Sequence, residues 1–183
     1  MRIGFTGAHG TGKSTLLREM FTWKELNGHC FVSGLTRHQA KTKGLKLNQH
    51  GNFEGQKELV KAMSWHLKTI PNLVVDRTLL DIFAYTVHHR DKGGLNSREL
   101  NYIRNRARQY QHMFDVVFYI RPEFEIKGDD VRSADPGFAI EVAAIIEHAV
   151  TLEPLGTREI VVVSGTVKER LTTIKKWLHE HNI

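Results

Sequence analysis

The chain is short of whatever would tie it to a membrane, a disulfide scaffold or a disordered tract. It holds one cysteine, Cys30, in 183 residues. One cysteine excludes an internal disulfide and fits a reducing, cytoplasmic setting; Cys30 is expected as a small buried residue on a strand. Four prolines leave no Pro-rich linker. No apolar run approaches the roughly 18 residues of a membrane span. No leader is expected, because the first strand begins at Arg2 and runs into a glycine-rich loop. No repeat or low-complexity tract is visible. Acid is scarcer than base, with 20 Asp and Glu against 26 Lys and Arg, a net charge of +6. That balance suits a polyanionic ligand, nucleotide or nucleic acid, without separating the two.

What is present is an alternation of strand and helix signals. Arg2 to Thr6, "HCFVSG", "NLVVD", "DVVFYI" and "REIVVVSG" read as strands, short and nearly continuously apolar. Between them, helices are expected from 13 to a stop at Asn27-Gly28, over 54–69, over "TLLDIFAYTVHH", over 98–112 with Ser97 as cap, over 137–151 and over 168–181. "LTRHQAKTKG" reads as a short polar helix or loop, "LKLNQHGN" as a turn-rich excursion. This predicts one α/β domain over 1–183: a five-stranded parallel sheet with helices on both faces. Ligands of such sheets sit beyond the carboxyl ends of the strands. Three strand ends therefore matter: Gly7 onward, Asp76-Arg77, and Arg121 onward.

The sequence "GAHGTGKS" over 7–14 matches G-x-x-x-x-G-K-[ST], with strand before and helix after. Gly7, Gly10 and Gly12 let the backbone approach phosphate oxygens, and the loop amides through Thr11 and Thr15 point at them. Lys13 reaches the β- and γ-phosphates of ATP, and Ser14 offers its hydroxyl to Mg²⁺. His9, inside the loop, is expected as a solvent-facing or packing histidine. Asp76 can hold the magnesium shell or accept a proton, and Arg77 can fork onto an acceptor phosphate. Arg121, Lys127 and Arg132, with Asp129 and Asp130, form a charged loop over about 121–136 that could close over the transferring group. Arg104 and Arg108 share one helix face. That face is expected to be solvated.

These features together resemble the nucleoside and nucleotide kinase branch of P-loop proteins. Within it, "DRTLLDIFAY" and "YIRPEFEIKGDDVRSADP" resemble the AAA-type ATPase/NadR-like kinase family of bacteria and phages, over nearly the whole chain. The resemblance implies that Gly10, Gly12, Lys13, Ser14 and Thr15 bind ATP phosphates and Mg²⁺. It implies that Asp76 and Arg77 are the acid-arginine pair, that Arg121 and Arg132 are lid arginines, and that Gly165, Thr166 and Val167 pack on adenine. In two places this chain departs from the family pattern. The loop reads "KGDDVR", with its glycine ahead of the acids, and "SGLTRHQ" lacks the carboxylate that relatives often carry before the arginine, here Arg37.

No acid occurs between Glu25 and Glu54. A hydroxyl acceptor needs a positioned base, whereas a nucleoside monophosphate arrives ionised and needs cations. Arg37, Arg77 and Arg132 could supply them; Gln56 and Trp65 are candidates to hydrogen-bond and stack on the base, although Trp65 is expected in the core before it is expected as a platform. The favoured reading is an ATP-dependent (deoxy)nucleoside monophosphate kinase acting on a small nucleotide, with no membrane partner and with a homodimer left open. Asp76 stays available as a base for a hydroxyl, so a polynucleotide 5′-hydroxyl or modified-base DNA kinase is the alternative. A regulatory P-loop NTPase is the third.

Overall fold

The structure, a computed structural model, describes residues 1–46, 48–123 and 136–183. Five parallel strands, β1 (Arg2–Thr6), β2 (Cys30–Val32), β3 (Leu73–Val75), β4 (Val116–Ile120) and β5 (Ile160–Val163), lie in the order β2-β3-β1-β4-β5. β1 is central, pairing Ile3 with Val74 on one side and Gly4 with Val117 on the other. The chain passes from β1 to the edge strand β2, returns to β3 beside β1, then crosses to β4 and β5 on the other side. The direction of winding thus changes beside β1, and a ligand crevice is expected at its carboxyl end.

The helices are α1 (Lys13–Met20), α2 (Leu35–Lys43), α3 (Phe53–Thr69), α4 (Leu79–Asp91), α5 (Ser97–Gln111), α6 (Pro136–Leu152) and α7 (Val167–Glu180). Two of them, α1 and α7, cover one face of the sheet with Leu16, Leu17, Met20, Ile174 and Trp177. The other face is covered by α3, α4 and α5 through Leu59, Met63, Leu67, Leu80, Phe83 and Ile103. A third cluster joins Tyr85 of α4 and Tyr119 of β4 to Phe138 and Val142 of α6. Each large side chain buried this way contributes about 1.5–3 kcal/mol, which is what holds the strand ends in fixed relation. No described helix is long and apolar enough to cross a membrane.

Several local expectations are corrected. α1 stops at Met20 rather than near Asn27, because Trp23 is extended and a separate 3₁₀ turn, Lys24–Leu26, follows. Asn96, not Ser97, caps α5: its side chain accepts from the amides of Arg98 (2.9 Å) and Glu99 (3.1 Å). Glu99 returns a bond to the Asn96 amide at 2.9 Å, so the acid three residues on selects the cap. Cys30 is exposed, since β2 is a three-residue edge strand. Trp65 is 58% exposed, since Met63 and Leu67 take the inward positions on α3. "LTRHQAKTKG", expected as a short polar helix or a loop, takes the first of the two, closed at Gly44 in the left-handed region. Lys127, Asp129, Asp130 and Arg132 lie outside the described residues.

Candidate active site

The loop from Gly7 to Gly12 joins β1 to α1 across the carboxyl end of the sheet. Gly7 has φ +149°, and a Cβ there would lie 2.6 Å from the Ile120 carbonyl oxygen and 3.1 Å from the Thr11 hydroxyl. Only glycine allows β4 to come this close. Gly12, at φ +90°, is the N-cap of α1 and turns the chain so that α1 begins with Lys13. The Lys13 ammonium donates to the carbonyls of Gly7 (2.6 Å) and Ala8 (2.7 Å), and the Thr11 hydroxyl donates to Ala8 at 2.9 Å. The cation is thus buried at the centre of the loop, 6% exposed.

Asp76, at the end of β3, is 5% exposed and ties three segments together. Its carboxylate accepts from the hydroxyls of Ser14 (2.8 Å) and Ser33 (2.7 Å) and from the Gly34 amide (3.0 Å). Ser14 and Asp76 place two hard oxygen donors side by side. Magnesium suits such a small donor set, because it keeps several waters and shares its remaining positions with phosphate oxygens. Among the described residues no cluster of three or more His, Cys, Asp or Glu offers an all-protein cage.

Arg77 lies against Tyr85, its guanidinium carbon 5.3 Å from the ring centre, and 3.9 Å from the Asp81 carboxylate. Burial opposes its charge and is the largest single influence. The Tyr85 hydroxyl and the Asp81 and Asp76 carboxylates outweigh it and raise the pKa above the ordinary guanidinium value. Tyr85 also meets His9 of the loop, hydroxyl to Nδ1 at 3.3 Å. His9 is 3% exposed and stacks on Phe138, so it packs rather than faces solvent. Asp81 is fully buried: one oxygen accepts from the Gly7 amide (3.3 Å), the other from the Thr78 amide (2.8 Å). The capping box of α4 therefore also fastens the first residue of the loop.

One cavity of about 180 Å³ gathers His9, Gly10, Gly12, Lys13, Ser14 and Thr15 of the loop with Arg37, Asp76 and Arg77; Gly34, Thr36 and Asn48 complete its wall. A smaller space of about 30 Å³, sharing Thr36, Asn48 and Arg77, is lined by the buried Gln56. Gly7 and Thr11 shape the loop from behind. Trp65 is not among the lining residues of either space; it stands on the outer face of α3. The Arg121 side chain is half-exposed and lies 3.6 Å from Glu147, outside the cavity wall. Arg104 and Arg108 both pair with Glu153, at 3.1 and 3.2 Å.

Gly165, Thr166 and Val167 connect to the loop indirectly. Thr166 caps α7, and Arg170, one turn later, is 1% exposed. Its guanidinium donates to the carbonyls of Gly165 (2.8 Å), Thr11 (2.7 Å) and Arg121 (3.1 Å) and meets Glu123 at 3.0 Å. Glu123 also accepts from the Gly165 amide. Arg170 holds the Glu123 carboxyl below its usual range, helped by that amide. Asp81, Tyr85 and Arg170 are the residues that motif reasoning misses. Asp81 had a signal, the Thr78-x-x-Asp81 spacing of a capping box. Tyr85 and Arg170 had none: one sits in an apolar helix, the other in a helix studded with surface charges.

The AAA domain family model matches residues 2–170. No curated protein matches the sequence. Among solved structures, deoxyadenosine kinase from M. mycoides with bound dCTP superposes with a TM-score of 0.73 at 21% identity, covering 98% of this chain and 100% of that one. The same enzyme with the products dCMP and a flexible dCDP gives 0.71, also at 21%, with the same coverage. Thymidylate kinase from Candida albicans gives 0.71 at 17%, covering 98% of this chain and 91% of that one. The likeness is one of fold, extending over both chains almost end to end.

Proposed function

The chain belongs to the AAA domain family, and from that premise we propose that it is an ATP-dependent phosphotransferase whose acceptor is a (deoxy)nucleoside monophosphate. The observation that carries this reading is the state of Asp76. It is the one acid among the described residues lining the cavity, and its carboxylate already accepts from Ser14, Ser33 and Gly34. A general base for a hydroxyl acceptor would have to leave those donors. Two guanidinium groups, Arg37 and Arg77, line the same wall. Such a wall suits an acceptor that arrives as an anion. The fold relatives include a deoxyadenosine kinase and a thymidylate kinase, one named for a nucleoside acceptor and one for a monophosphate; both fit phosphoryl transfer, and the choice of acceptor rests on Asp76 and the arginine wall.

In this reading the loop amides and Lys13 hold the donor phosphates and stabilise charge on the transferring group. Ser14 and Asp76 would hold Mg²⁺, which when bound neutralises phosphate charge. Arg77, kept in place by Tyr85 and Asp81, grips the acceptor phosphate, and Arg37 adds a second charge. Gln56 reaches the acceptor base. Gly165, Thr166 and Val167 border the adenine. Arg121 and Arg132 are assigned to the closing loop by resemblance alone.

An acceptor screen tests the reading. With ATP labelled in its γ-phosphate, label is expected on one or more monophosphates among the ribo and deoxy series. Label on nucleosides or on 5′-hydroxyl oligonucleotide ends, with none on monophosphates, overturns it.

A further inference from the structure

Away from the cavity, α3 and α5 leave a second surface that the phosphotransfer does not use. Lys57, Lys61 and Lys68 of α3 face Tyr102, Arg106 and Tyr110 of α5 across a groove of about 510 Å³. The cations are spread along the groove rather than gathered at one point: eleven residues of helix separate Lys57 from Lys68, about 16 Å. Aromatic rings alternate with them. Lys68 stands 4.6 Å from the Tyr110 ring centre and Arg106 stands 5.8 Å from that of Tyr102. Tyr102 is 40% and Trp65 58% exposed. Trp65 forms a ridge between this groove and a second concave surface of about 550 Å³ under α2, which Lys43 and Lys61 also line. Glu58 is the one carboxylate among the described residues lining either surface, and Lys43 bonds it.

We propose that this face binds single-stranded nucleic acid, with bases stacked on Trp65 and Tyr102 and phosphates tracked by Lys57, Lys61, Lys68 and Arg106. A planar base needs an exposed ring, and a backbone needs cations spaced along a line; this face has both. A lone mononucleotide would use cations gathered at one point. A second copy of the chain is a poorer occupant, because interface cores are depleted of charged residues, lysine among them. The inference is independent of which acceptor the cavity takes.

Fluorescence anisotropy of a labelled oligothymidylate of about twelve nucleotides tests it. The strand is expected to bind, with log K falling against log salt at a slope of about −2 to −3, as three to four phosphate contacts require. Trp65→Ala should weaken binding about tenfold, and Trp65→Phe should restore much of it. Lys68→Glu should weaken binding while its transfer rate to a mononucleotide stays within about twofold, which separates this inference from the kinase reading. The inference is overturned if the strand does not bind, if binding ignores salt, or if Trp65→Ala binds like the parent. It is equally overturned if free mononucleotide displaces the strand at equal nucleotide concentration. A dimer in sedimentation that Trp65→Ala dissociates would reassign the face to self-association.

Discussion

Arg170→Met removes a guanidinium while keeping most of the apolar volume of the side chain. The parent group is 1% exposed and serves the carbonyls of Thr11, Gly165 and Arg121 together with the Glu123 carboxylate. Removing one partner of a buried charge pair costs about 3–5 kcal/mol, chiefly because the other is stranded. Glu123 is 36% exposed and can rehydrate, which points to the lower end, about 3 kcal/mol. The carbonyl of Thr11 has no such recourse, and its loop should loosen. For a chain of this size that loss lowers the melting temperature by about 6–12 °C. Arg104→Met is the control: its pair with Glu153 is partly exposed and is worth about 0.2–1 kcal/mol. Urea unfolding of both variants, with the slope monitored, gives the two values directly. If Arg170→Met costs no more than Arg104→Met, the claim that one buried arginine holds the loop, the carboxyl end of β4 and the β5–α7 turn together is wrong. Arg170→Lys should recover little, since an ammonium cannot spread four bonds over these directions.

Stability should fall in acid in two stages. Burial, aided by the neighbouring His88, depresses the His89 pKa to about 4. The unfolded chain then binds the extra proton first, so up to about 3 kcal/mol is lost as pH drops from about 6.5 to about 4; His89→Gln should flatten that stage of a urea series. Glu25 is shifted in the same direction, lowered to about 2 by backbone bonding, His179 and Lys175, so its contribution is complete above about 4.5 and fades only below it, as a second and more acid stage. Gly7→Ala should cost about 1–3 kcal/mol and abolish ATP binding by calorimetry with the circular dichroism of the sheet retained; normal ATP affinity would refute the close approach to Ile120. Tyr85→Phe deletes the hydroxyl between His9 and Arg77 and should raise the acceptor KM about fivefold, the equivalent of about 1 kcal/mol, with the ATP KM unchanged. Equal rises in both KM values would place Tyr85 elsewhere in the scheme.

The elements most legible in the sequence were those with a short-range cause. Apolar runs such as "NLVVD" and "DVVFYI" became β3 and β4 within a residue or two, because strands buried on both faces need no alternation. The loop at 7–14 declared its own ends through glycine and lysine, and Asp76 was found because a strand end beside that loop is a special place. What stayed hidden depended on long-range partners. Arg170 resembles any helical surface arginine until the loop, β4 and β5 converge on it. Tyr85 looks like core until His9 and Arg77 meet its hydroxyl. The exposure of Trp65 follows from which neighbours on α3 turn inward, a phase that a local reading assigned incorrectly. Cys30 went wrong for a related reason: nothing local distinguishes an edge strand from a central one.

The acceptor claim is tested most directly by competition in a single reaction. ATP labelled in the γ-phosphate is mixed with equal amounts of a deoxynucleoside and its 5′-monophosphate, for each base in turn, and the products are separated. Phosphate is expected to pass to the monophosphate, giving a diphosphate, and Lys13→Ala should lower that transfer by about two to three orders of magnitude. Label entering the nucleoside instead, with none on the monophosphate, would contradict the reading.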